Sequence, residues 1–151
     1  MLEELPGVSL RMIGSVKNGI NQRPDSGWGD VVSEITIASS LTEALDGLEE
    51  FSHVVVVYWM DRVPPLAQVP TKVHPRGRQD LPLVGLFATR TPYRLNPVGV
   101  TVVKVLERRG NVLKVQGLDA LDGSPVIDIK PYMPRRAAVI DARTPSWEEK
   151  L

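Results

Sequence analysis

Eight consecutive residues, His53-Val-Val-Val-Val-Tyr-Trp-Met60, are β-branched, aromatic or otherwise apolar, with no polar residue breaking the run. Such a stretch is too short for a buried helix and lacks the alternation of a half-exposed strand. It predicts a strand buried on both faces. Any fold must supply neighbours for it, and the rest of the chain offers mostly strands. Val8 to Lys17 predicts a first strand, with Val8, Leu10 and Met12 alternating against Ser9 and Arg11. Val31 to Ile37 predicts a second, with Val31, Ser33, Ile35 and Ile37 on one face. Gly85 to Thr89 reads as a short strand and Val98 to Arg108 as a long one. Gly110-Asn111 turns it into Val112 to Leu118, and Asp122-Gly123 turns the chain again before Val126 to Lys130.

Helical signal is confined to one place. Ser40-Leu41-Thr42-Glu43 is a capping-box sequence, followed by Leu41, Ala44, Leu45 and Leu48 at helical spacing. Gly47 limits that helix to about two turns. Arg62 to Pro82 holds five prolines and no periodicity, so it predicts a long loop. No strand–helix alternation is present, and no Gly-x-Gly-x-x-Gly follows a strand, which excludes a Rossmann arrangement. The expected class is mainly β: an antiparallel barrel or half-barrel of six to seven strands with one short helix. Residues 1–134 form that domain, and 135–151 an irregular tail.

Composition narrows the chemistry. The chain has 151 residues, enough for one domain with its own core, and no cysteine, so thiolate metal sites and thiol nucleophiles are out. Two histidines, His53 and His74, argue against a histidine-rich zinc centre, and no metal is expected. Lysine plus arginine equals aspartate plus glutamate, 18 against 18, so nucleic acid would have to be met by a local patch. The opening residues show no leader pattern and no stretch reaches membrane-spanning length, so a cytoplasmic protein without a membrane partner is expected.

Three segments carry candidate chemistry. Arg90, Arg94 and Asn96 lie in a loop stiffened by Pro92 and Pro97, where guanidinium forks suit a carboxylate or phosphate; the alternative is a solvated loop. Asp119, Asp122 and Asp128 cluster near a turn, where a carboxylate could accept from ribose hydroxyls and the backbone of Ala120 and Leu121 could read an adenine edge. The alternative is a plain hairpin turn, with Asp128 paired to Lys130. Lys72, Arg76 and Arg78 form the one local basic cluster, either a phosphate contact or a solvated loop. His53 reads as a structural hydrogen bonder.

Several of these blocks together resemble the TrmO/YaeB (VirR-type) family. Gly85-Leu-Phe-Ala-Thr-Arg-Thr91 and Arg94-Leu-Asn-Pro-Val-Gly99 look like its first signature. Leu118-Asp-Ala-Leu-Asp-Gly-Ser-Pro125 and Asp128-Ile-Lys-Pro-Tyr132 look like its second, and Gly47-Leu-Glu-Glu-Phe-Ser-His53 a third block upstream. Order and spacing agree from about Ile13 to Pro134. The resemblance implies a barrel-like β fold, a homodimer, and S-adenosylmethionine in a cleft near the dimer interface. It further implies methylation of N6 of threonylcarbamoyl-adenosine beside the tRNA anticodon. It maps cofactor contacts onto Asp61, Arg62, Arg90, Val100, Asp119, Ala120, Leu121 and Asp122. Acceptor contacts then fall to Lys72, Arg76, Arg78 and Arg94, and acceptor orientation to Asn96 or Arg94. The chain departs from the family pattern in lacking a Pro-Arg-Gln triplet in its first long loop, in having Asp61 where many members have His, and in having Leu95 where many have Pro. Two other outcomes stay open: a non-catalytic cofactor- or RNA-binding barrel, and a methyltransferase with a small-molecule acceptor.

Overall fold

The computed structural model describes residues 5–151; part of the opening segment read for a leader lies outside that range. The described residues form eight strands: β1 (Gly14–Lys17), β2 (Val32–Ile37), β3 (His53–Trp59), β4 (Lys72–Val73), β5 (Val84–Gly85), β6 (Val98–Arg109), β7 (Val112–Gln116) and β8 (Pro125–Pro131). Six of them close an antiparallel barrel in the order β1-β2-β7-β6-β3-β8, with β1 returning to β8. β4 and β5 form a separate two-stranded ribbon. Closure removes the free edges that an open sheet would leave.

The alternation predicted for β2 is present: Ser33, Ile35 and Ile37 point inward and are buried, while Val32, Glu34 and Thr36 face out. The apolar run of β3 is buried on one face only. Val54, Val56 and Tyr58 fill the interior, whereas Val55, Val57 and Trp59 remain half-exposed on the outer wall. With Val16, Ile35, Val103, Leu113, Val115, Leu118 and Val126 they make the core. Each such side chain contributes roughly 1.5–3 kcal/mol when fully buried. β6 serves two neighbours: its first half pairs with β3 and its second with β7. The register shifts between Val105 and Glu107, so the strand bulges and coils around the barrel. Gly110, at φ 55°, makes the tight β6–β7 turn expected of Gly-Asn.

Besides the one-sided burial of β3, four further expectations are corrected. The predicted first strand over 8–17 is a strand only from Gly14. Val8, Leu10 and Met12 are exposed, and ladder pairing begins only at Gly14, opposite Ile37 of β2 and Val126 of β8. The capping-box helix is instead a 3-10 segment, Ser39–Leu45, with no side-chain cap; Leu45 plugs the barrel end and the chain turns at Gly47 into a second 3-10 turn. Among the described residues the only α-helical turn is α1 (Pro134–Ala137). The strand over 85–89 shrinks to β5 followed by a 3-10 turn at Leu86–Ala88. The long loop after Arg62 is partly ordered, holding β4 and a turn at Pro75–Gly77.

All six barrel strands run alternately, so the loops fall on two mouths. One mouth gathers residues 18–31, 60–97 and 117–124. The other gathers 38–52, the Gly110-Asn111 turn and the chain after Pro131.

Candidate functional site

The first mouth is organised by one aspartate and one asparagine. Asp122 Oδ1 accepts the backbone N–H groups of Asn18 (2.8 Å) and Gly19 (2.9 Å), and its own N–H donates to Ile20 O (2.8 Å). Asn18 Nδ2 donates to the buried Ser33 hydroxyl (3.1 Å) and to Ala120 O (2.9 Å). Arg62 closes the ring, donating to Asn21 O (3.0 Å) and Asp122 O (2.6 Å). The two loop amides, Gly19 first and Asn18 next, hold the Asp122 carboxyl below its ordinary range, and the Arg62 charge adds to this. The segments 18–21 and 119–123 and Arg62, three residues past β3, are thereby locked together.

Asp119 stands three residues earlier with an exposed side chain. Its Oδ1 accepts Tyr58 Oη at 2.9 Å and Thr101 Oγ1 at 2.5 Å, and Tyr58 Oη also lies 3.1 Å from Asp119 O. Tyr58 comes from the interior face of β3, where it is 3% exposed. Burial chiefly, and then the Asp119 charge, push its phenol well above the ordinary tyrosine value. Gly99 makes this reach possible: a Cβ there would lie 2.2 Å from Tyr58 Cζ.

The 89–97 loop leaves and re-enters at the same mouth, where Met60 N–H donates to Pro97 O (2.8 Å). Arg94 Nη1 donates to Thr89 O (3.0 Å) and Thr91 O (3.2 Å), so its guanidinium braces the loop from inside. Arg90 and Asn96 are exposed, and neither side chain is bonded to another described residue. Asp61, just past β3, is also exposed. Val100 sits opposite Val57 and is 54% exposed on the outer wall, on the opposite side of β6 from the inward Gly99 and Thr101.

The basic cluster lies further along the same 60–97 connection, on β4 and the turn after it. Arg76 donates to Leu151 O (2.5 Å), and Arg78 donates to Lys150 O and forms an ion pair with Asp80. Lys72 is exposed on β4. His53 lies at the far mouth, bonded to Ser52 Oγ (2.8 Å) and edge-on to Tyr132, the structural setting expected for it. Asp128 pairs with Lys130 at 2.9 Å, the bland alternative foreseen for that residue. A groove of about 550 Å³ at the far mouth is lined mainly by apolar residues, Leu45, Leu48 and Phe51 among them. Of its three acids, Asp46 and Asp128 are ion-paired with Arg108 and Lys130, and Glu50 forms no ion pair with a described residue. Among the described residues no acid or histidine cluster is suited to a metal ion, and no helix is long and apolar enough to cross a membrane.

The structure thus brings Arg62 and the 119–122 segment together, with Arg90, Arg94 and Asn96 on a neighbouring loop. It sets Val100 on the outer wall and ties Arg76 and Arg78 to the end of the chain. Sequence reasoning missed Asn18, Ser33, Tyr58 and Thr101 as parts of the mouth. Tyr58 did leave a signal, as the only hydroxyl in an otherwise apolar run.

A small closed barrel with one mouth built from three polar loops is the architecture of a ligand-binding barrel. Residues 15–138 match the tRNA-methyltransferase O N-terminal domain family, and this chain belongs to it. An S-adenosyl-L-methionine-binding protein of Archaeoglobus fulgidus is 44% identical over 129 residues, covering 83% of this chain and 89% of the relative. The proposed S-adenosylmethionine-dependent methyltransferase RcsF of Pseudomonas aeruginosa is 42% identical over 102 residues, covering 67% of this chain and 43% of the relative. The crystal structure of TrmO from Pseudomonas aeruginosa superimposes with a TM-score of 0.75 at 29% identity, covering 95% of this chain and 62% of that one. The chain therefore spans less than two thirds of the longer relatives, from 62% of TrmO to 38% of one from Archaeoglobus fulgidus.

Proposed function

We propose that this chain binds S-adenosylmethionine at the mouth built from residues 18–21, Arg62, the 89–97 loop and 119–122, and transfers its methyl group to N6 of threonylcarbamoyl-adenosine in tRNA. The supporting observation is that the family match spans every segment that converges on this mouth. The groups present suit the cofactor. Arg90 offers an uncommitted guanidinium for its carboxylate, and Asp119 an acceptor oxygen for its hydroxyl or ammonium donors.

Bound there, the cofactor supplies a sulfonium-activated methyl group. The chain's share of the work is positioning, and little covalent assistance is needed. Asp122 and Arg62 hold the two cofactor loops in register. Arg94 braces the loop that carries Arg90 and Asn96, and Asn96 orients the acceptor. Asp61 approaches the cofactor from the rim of the mouth, and Val100 from the outer wall, where the cleft borders the dimer face. A two-fold homodimer through the outer faces of β3 and β6 belongs to the same reading, since it would cover Val100, Val102 and Leu106, each at least 40% exposed.

One observation favours a second reading, an acceptor smaller than tRNA: Arg76 and Arg78 already donate to the last two residues, which leaves Lys72 as the cluster's uncommitted cation. Transfer of labelled methyl to tRNA carrying threonylcarbamoyl-adenosine separates the two. The tRNA reading predicts incorporation that falls steeply with salt, with a log–log slope of roughly −0.7 to −0.9 per neutralised phosphate. No incorporation at low salt, with cofactor demonstrably bound, removes tRNA as acceptor.

A further inference from the structure

Tyr58 has no packing reason to be a tyrosine. Its inward neighbours on β3 are Val54 and Val56, and a phenylalanine would fill the same space. What the hydroxyl adds is its bond to Asp119, and Thr101 Oγ1 reaches the same oxygen from β6. Two hydroxyls from adjacent strands therefore converge on Asp119 Oδ1, and Gly99 lacks the Cβ that would block the approach. Asp119 Oδ2 bonds to no other described residue. An exposed carboxylate otherwise samples several rotamers, and two bonds on one oxygen fix its plane before any ligand arrives.

We propose that Tyr58 and Thr101 are positioning residues, which hold Asp119 by Oδ1 so that Oδ2 accepts a hydrogen bond from the bound cofactor. The donor is a ribose hydroxyl or the α-ammonium group. The inference rests on the cofactor reading above and deepens it, because it makes cofactor affinity depend on two side chains that do not touch the cofactor.

The test titrates S-adenosylmethionine, and separately 5′-methylthioadenosine, into the wild type, Tyr58→Phe, Thr101→Val, Thr101→Ser, Asp119→Ala and the Tyr58→Phe/Asp119→Ala double variant, with thermal melting as the check on folding. Tyr58→Phe and Thr101→Val should each weaken S-adenosylmethionine binding about five- to tenfold. Thr101→Ser should restore it. In the Asp119→Ala background, Tyr58→Phe should have no further effect, because the residue it acts through is gone. A parallel loss for methylthioadenosine assigns the donor to the ribose, and a loss confined to S-adenosylmethionine assigns it to the ammonium. Wild-type affinity in Tyr58→Phe, or an equal loss with and without Asp119, would overturn the proposal. A wild type that binds neither ligand overturns the cofactor reading and this inference with it, a result readily told apart from the other two.

Discussion

At the scale of single residues, Asp122 and Gly99 show how the barrel mouth is held. Asp122 accepts two loop amides through one oxygen, and its pKa is lowered in the fold. A depressed carboxylate contributes stability that is present above the unfolded pKa of about 3.9 and is lost as pH falls through the lower folded value. Asp122→Asn should therefore melt below the wild type at pH 7, and the gap should close on acidification below about pH 4. Melting curves against pH check this, and a gap that stays constant would mean the carboxylate charge is not what joins the loops. Gly99→Ala places a methyl against the Tyr58 ring. Overpacking of this kind costs roughly 1–3 kcal/mol. The loss should shrink when Tyr58 is also changed to Leu, and an undiminished loss in that double variant would locate the strain elsewhere.

At the scale of elements, strands could be read from the sequence far better than helices. β2, β6, β7 and β8 were visible to within a residue or two because alternation and Gly turns are local signals. Ser40 to Leu48 misled for a physical reason: capping and spacing describe an isolated helix, but here the barrel end dictates a tight 3-10 segment that delivers Leu45 as a plug. Leu45→Ala should accordingly cost about 2–5 kcal/mol. Leu41→Ala, at an exposed position of the same segment, should cost well under half of that, as calorimetric melting would show. Equal losses at the two positions would mean that Leu45 does not carry the closure. The site was legible in part. Asp119 and Asp122 lie in a block that carries the family resemblance, and Arg62 is a position the resemblance maps. The roles of Asn18 and Thr101 depend on which strands become neighbours, and no local pattern encodes that.

At the scale of the molecule, the outer wall of β3 and β6 is apolar without being covered. Val100, Val102 and Leu106 are exposed, and Val55, Val57 and Trp59 are half-exposed beside them. The proposed homodimer buries this wall, so Val102→Glu combined with Leu106→Glu should convert a dimer to a folded monomer in light scattering. A wild type that is monomeric at micromolar concentration would contradict that arrangement.

The most direct test of the cofactor site is calorimetric titration of S-adenosylmethionine into the wild type and Arg90→Ala. Arg90 is exposed and braces nothing, so its loss should leave the fold intact. If its guanidinium meets the cofactor carboxylate, losing that charged hydrogen bond costs ~1.5–3 kcal/mol, about one to two decades in affinity. The account predicts clear binding by the wild type and that loss in the variant at an unchanged melting temperature. No heat of binding to the wild type, or equal affinity in the two proteins, would contradict it.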